Sequence, residues 1–138
     1  MLARVVVDPG MLIAALLSRT GAPARVISLW LGGSFEMVAS PHLLAELSRV
    51  LARPKFRAWV TVDEARQYTE VIARGAVMYD DTGEIGLVPG DPGDDYLVAL
   101  ARAARVQAIV SGDAHLLGMP DARPPVVTPA KFLSSLTE

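Results

Sequence analysis

The chain contains no cysteine, so disulfide staples, thiolate metal ligation and cysteine nucleophiles are all excluded. Cysteine-free composition suits a reducing compartment, and the expected location is cytoplasmic. Histidine is nearly absent too: His42 and His115 are the 2 present. Neither lies beside a second ligand in sequence, so a zinc centre is not expected, and both read as surface or loop residues. Aromatic residues make up 6% and never interleave with basic ones, which leaves no stacking platform for single strands. The most apolar stretch, MLARVVVDPGMLIAALLS, is interrupted by Asp8, Pro9 and Gly10. It reads as neither signal segment nor membrane span. No glycine-rich phosphate loop, internal repeat or low-complexity tract occurs. Positive charge is also lacking: the net charge is −2, whereas proteins that grip nucleic acid by bulk charge are strongly basic. Contact with phosphate must come from a local basic patch or from bound metal.

What remains is a chain of 138 residues with 51% hydrophobic content, the size of one domain spanning 1–138. Short β-branched runs alternate with longer helical patterns, the signature of a parallel sheet covered by helices. Strands are expected at 3–8, 35–39, 76–79, 106–110 and 125–127. Helices are expected at 11–17, 23–31, 41–52, 62–74, 92–104, 114–118 and 129–136, with a glycine-rich loop at 80–90. In such sheets, ligands sit outside the carboxyl ends of the strands. Asp8 follows one strand, and Ser111-Gly112-Asp113 follow another.

Four carboxylates stand out, each with a purely structural alternative. Asp8 and Asp113 can simply cap the helices that follow them. Glu46 flanks the apolar face of SPHLLAELSRVL, where it needs a partner or a metal, or else pairs with Arg49. In Asp91-Pro92-Gly93-Asp94-Asp95, the first acid reads as a helix cap and Asp94 as its third position. Asp95 is the acid that local structure leaves unexplained. Gathered at one sheet end, four carboxylates repel and require protons or cations. Oxygen-only ligands select Mg²⁺ or Mn²⁺, and such a site serves metal-assisted phosphoryl hydrolysis. On this reading Asp95→Asn stabilises the metal-free protein.

The blocks VVVDPGMLIAALLS, SPHLLAELSRVLARPKF, GDPGDDYLVALA, IVSGDAHLL and VVTPAKFL resemble the PIN-domain proteins, in particular the VapC-like group described as toxin components of toxin–antitoxin systems. The resemblance covers nearly the whole chain. It implies a three-layer α/β/α sandwich with a mainly parallel sheet of about five strands, and an Mg²⁺- or Mn²⁺-dependent endoribonuclease. By motif position it places the catalytic and metal-binding acids on Asp8, Glu46, Asp95 and Asp113, with Gly10, Asp94 and Ser111 as supporting neighbours. It also implies an RNA substrate, a cognate antitoxin and a homodimer, with no role at a membrane. Two departures stand out. Asp8-Pro9-Gly10 replaces the usual Asp-Thr-Asn, and His115 replaces a frequent acid two positions after Asp113. Thinned surroundings of this kind typically cost 10–100-fold in metal affinity or activity.

Arg49, Arg53, Lys55, Arg57 and His115 are candidates to contact RNA. The alternative for the four cations is that they complement a helix end and stay solvated. Competing functions are a catalytically weakened module that binds RNA or protein, and a receiver-type phosphoacceptor with Lys131 as its late lysine. An aspartyl-phosphate phosphatase would need a second Asp two residues after Asp8, where Gly10 stands.

Overall fold

In the computed structural model, which describes residues 2–119 and 121–136, five strands form one all-parallel sheet. They are β1 (Arg4–Val7), β2 (Glu36–Ala39), β3 (Val77–Met78), β4 (Ala108–Val110) and β5 (Val126–Val127), in the order β3-β2-β1-β4-β5. Seven α-helices are described: α1 (Pro9–Leu17), α2 (Ala22–Leu31), α3 (Pro41–Leu51), α4 (Val62–Gly75), α5 (Asp95–Ala103), α6 (Ala114–Leu117) and α7 (Pro129–Leu136). Short 3-10 turns occupy Pro54–Ala58 and Pro92–Asp94. The ends of the expected 1–138 span, and Pro120, lie outside the described residues.

Successive strand residues point to opposite faces, yet Val5, Val6 and Val7 are 1%, 0% and 1% exposed, and Ala108, Ile109 and Val110 are all buried. Both faces of the sheet are therefore covered, which is the three-layer α/β/α arrangement. Helix starts are written into the sequence. Ser40 accepts from the Leu43 N–H at 3.2 Å with Pro41 preset for the first turn. Thr61 and Glu64 form a reciprocal capping box on α4. Along α3, Leu43, Leu47 and Leu51 fall on one stripe at 1% exposure or less. Burying each such side chain stabilises the fold by about 1.5–3 kcal/mol.

Gly75 closes α4 against Trp30: a Cβ there would lie 2.7 Å from Trp30 Cζ2. Trp30 is buried, whereas Trp59 is exposed. No single helix among the described residues is long and apolar enough to cross a membrane.

The strand order also decides between readings. A receiver domain has the order 2-1-3-4-5, which this sheet lacks, so the phosphoacceptor reading falls. Here β1 lies between β2 and β4, and the connections run outward from it to either side. That reversal opens a crevice beyond the carboxyl ends of β1 and β4, where Asp8 and Asp113 emerge.

Candidate metal centre

β1 and β4 are joined past their last ladder pair by the Asp8 N–H, which donates to the Val110 carbonyl at 2.9 Å. This places the next residues of both strands side by side. The Ser111 hydroxyl donates to Asp8 Oδ2 at 2.7 Å and accepts from the Asp113 N–H at 3.0 Å. The Gly10 N–H donates to Asp8 Oδ1 at 3.0 Å. Asp8 thus caps α1 and faces the crevice at once, so the two readings of it are not alternatives. Asp113 likewise accepts from the His115 N–H at 2.7 Å, starting α6.

The third contribution differs from the sequence expectation. The segment Pro92–Asp94 is a 3-10 turn, and neither Asp91 nor Asp94 makes a side-chain capping bond. Both side chains turn to the crevice instead. Carboxylate oxygens of Asp91 and Asp113 and a ring nitrogen of His115 lie within 4.8 Å of one another. Asp94 feels the charges of Asp8, Asp91 and Asp113. The cluster is therefore Asp8, Asp91, Asp94 and Asp113.

Asp95, expected among the ligands, points elsewhere. It is 3% exposed and accepts three backbone N–H groups, from Gly86 at 2.7 Å, Leu87 at 3.0 Å and Val88 at 2.8 Å. These bonds, led by the one from Val88, hold its carboxyl below the usual range. One step along a 3-10 turn rotates a side chain by about a third of a circle, which exchanges Asp95 for Asp94 at the crevice. Because Asp95 is satisfied by donors and Asp94 is the crowded acid, Asp95→Asn loses native hydrogen bonding rather than relieving repulsion.

The cluster is crowded by like charges. Burial raises the pKa of Asp8, with the charges of Asp113 and Asp91 adding and the bonds from Ser111 and Gly10 opposing. Asp94 is pushed up to about 7, by burial first and then by Asp8, Asp91 and Asp113. Among the described residues no lysine or arginine pairs with any of the four acids; the sole ion-pair contact is His115 Nδ1 to Asp113 Oδ1 at 3.4 Å. The donor set fits a hard divalent ion: oxygen ligands in excess, with no fixed cation to compensate them. A family model described as PIN domain matches residues 4–115.

The chain belongs to the PIN domain family. No curated protein matches it by sequence. Among solved structures it is similar to PAE2754 from Pyrobaculum aerophilum, with TM-score 0.65 and 17% identity, over 98% of this chain and 96% of that one. It is also similar to VapBC2 from Rickettsia felis, solved bound to a DNA fragment from their promoter, with TM-score 0.62 and 14% identity, over 90% of this chain and 96% of that one. At these identities the likenesses concern the fold.

Two features of this PIN domain bear on the expected departures. Gly10 offers its backbone N–H where a side-chain amide is lacking, and His115 stands beside Asp113 in place of an acid. Glu46 is set apart from the four acids. Its carboxylate holds Arg49 through two bonds, Nη2 to Oε1 at 2.6 Å and Nε to Oε2 at 3.1 Å, and this lowers its pKa. Tyr96 lies near both Glu46 and the cluster, since the charges of Asp8, Glu46 and Asp94 all act on it. Its ring stacks on His42 at 3.9 Å, 7° from parallel. His42, Glu46, Arg49 and Tyr96 line a cleft of about 450 Å³ under the loop after β3. Tyr96 and Asp91 were missed by sequence reasoning. A signal for Asp91 existed in its three-residue distance from Asp94, one turn of a 3-10 helix, but the capping interpretation absorbed it.

Of the candidate RNA contacts, Arg49 and Arg53 remain exposed, and Arg53 is close enough to act on the charge of Glu46. Lys55 is exposed, 5.1 Å above the Phe56 ring. Arg57 is turned inward: its Nη2 donates to the Leu51 carbonyl at the end of α3, which removes it from the cleft surface.

Proposed function

We propose that this PIN domain is a divalent-metal-dependent endoribonuclease and the toxin of a toxin–antitoxin pair, folding as one domain over 1–138. The observation that carries the reading is the convergence of Asp91 and Asp113, with His115, within 4.8 Å of one another, near enough to Asp8 and Asp94 to act on their charge, with no lysine or arginine among the described residues paired with any of the four acids. In our assignment these four acids hold Mg²⁺ or Mn²⁺. Such an ion would offset the charge of a phosphodiester and lower the pKa of a bound water.

The chain's own residues prepare that site. A carboxylate oxygen offers two acceptor positions, and Asp8 uses one on each oxygen, for Ser111 and Gly10. One position on each stays open to an ion. Ser111 fixes Asp8 and the Asp113 backbone together, so the two strand ends present their acids in register. Glu46 keeps Arg49 at the cleft, where the guanidinium meets an RNA backbone; Arg53, Lys55 and His115 extend the same role. Recruiting Glu46 as a ligand would require breaking its pair with Arg49. The antitoxin and a homodimer belong to the proposal through the family resemblance and the fold shared with VapBC2.

The test combines thermal unfolding with Mg²⁺ or Mn²⁺ and cleavage of an RNA panel. Wild type should gain stability with millimolar metal and cut RNA only in its presence, and Asp8→Asn should lose both responses. Wild type that neither responds to metal nor cuts any RNA sinks the nuclease reading.

A further inference from the structure

The loop between β3 and α5 lines the cleft beside α3 with residues 81–85 and ends by delivering Asp91 to the acid cluster. It contains no regular structure from Tyr79 to Asp91, yet it is fastened at distinct points. Near its start, Asp81 Oδ2 accepts from the His42 N–H at 2.9 Å, docking it on the first turn of α3. Further on, Val88 is buried in the core at 3% exposure. The strongest fastening is Asp95, whose two oxygens accept three successive N–H groups, those of Gly86, Leu87 and Val88. Gly86, the first residue of this segment, and Gly90, two residues after it, adopt φ of 75° and 76°, conformations that L side chains rarely take. Those turns let three consecutive amides converge on one carboxylate, the concave arrangement that binds anions.

Asp95 and Asp94 are neighbours on one rigid helix start. Asp94 stands in the cluster, while Asp95 grips the strand of loop that ends three residues before Asp91. We propose that Asp95 is a positioning residue: by clamping residues 86–88 it sets the loop's path and so places Asp91 opposite Asp8, Asp94 and Asp113 for metal binding. The inference rests on the metal reading of the cluster given above. Asp95 touches no ligand position itself; it acts through the loop. Charge-assisted bonds from backbone N–H groups are among the stronger hydrogen bonds, and an amide in the same place offers only one accepting oxygen plus a donor that faces other donors. Asp95→Asn therefore disrupts the clamp with minimal change of shape.

The experiment is titration of the full chain with Mn²⁺, following free and bound ion by electron paramagnetic resonance below the melting temperature. Variants are Asp95→Asn, Gly90→Val and, as a control for general destabilisation, Leu133→Ala. Gly90→Val alters no acid; it forces a β-branched residue into a positive φ between the clamp and Asp91. Both loop variants should bind Mn²⁺ roughly 10- to 100-fold more weakly, the usual effect of losing support behind a metal ligand, and the loop should become more open to proteolysis. Leu133→Ala should melt earlier yet bind Mn²⁺ like wild type. If Asp95→Asn fails to fold, Gly90→Val carries the comparison. Mn²⁺ affinity unchanged in a folded loop variant overturns the clamp while leaving the metal reading intact. Wild type that binds no Mn²⁺ overturns the metal reading and the clamp with it.

Discussion

Neutralising Asp94 should stabilise the metal-free protein, and by an amount that depends on pH. The carboxyl of Asp94 is displaced from 3.8 to about 7 by burial and by three neighbouring acids. At about 1.4 kcal/mol per tenfold, that displacement corresponds to about 4 kcal/mol against folding once the group is ionised. Asp94 is only half-buried, and water and salt screen its neighbours, so we expect about 1–2 kcal/mol to survive. The sign follows from proton binding. An acid with a raised folded pKa takes up a proton on folding between pH of about 4 and 7, so stability falls as pH rises through that window. Below it, Asp94 is protonated in both states and the penalty vanishes; above it, the penalty is complete. Asp94→Asn removes the titration while nearly preserving shape. In chelator at pH 8 the variant should melt about 4–8 °C above wild type, and at pH 4 the two should coincide. Millimolar Mg²⁺ or Mn²⁺ should then raise wild type and leave the variant unmoved. Differential scanning calorimetry at several pH values reads all three outcomes. A gap that does not change with pH, or a variant less stable at pH 8, would refute the argument that Asp94 is crowded by like charges.

Other perturbations test the supports around the site. Ser111→Ala removes a hydroxyl that donates to Asp8 and accepts from Asp113 in a fully buried position; it should cost about 1–3 kcal/mol in urea unfolding and weaken the metal-induced shift in Tm. Gly75→Ala should destabilise by about 1–3 kcal/mol, since its Cβ would meet the Trp30 ring, an effect larger than the helix-propensity gain of under about 1 kcal/mol; a chemical denaturation curve with Trp fluorescence decides the sign. Tyr68→Phe deletes the hydroxyl that donates to the Leu12 carbonyl at 2.7 Å and should cost about 1 kcal/mol, with no change in metal response.

Much of this is legible in the sequence alone. Asp8, Ser111 and Asp113 could be placed because a residue that follows a buried parallel strand must emerge at the carboxyl edge, whatever the details. The Glu46–Arg49 pair was legible from its three-residue spacing on a helix. The choice between Asp94 and Asp95 was not. It depends on whether the segment after Pro92 begins as an α-helix or as a 3-10 turn, a difference of one residue at a helix end, where sequence patterns are least informative. The clamp was illegible for another reason. Three amides converge on Asp95 because Gly86 and Gly90 turn the loop back, and backbone reversals at glycine leave no periodic trace. Arg57 misled in a simpler way: its charge suggested solvent, but the carbonyl left open at the end of α3 drew it in.

The seam between β1 and β4 has a consequence for how the protein comes into being. The hydroxyl that orders Asp8 lies 103 residues further along the chain, and Val5 has no neighbour on that side until Ala108 arrives. During synthesis the amino-terminal half can form helices and pair β1 with β2, but no partial chain can assemble the acid cluster before Asp113 has emerged. The site is a property of the completed fold, present only once β4 lies beside the first strand.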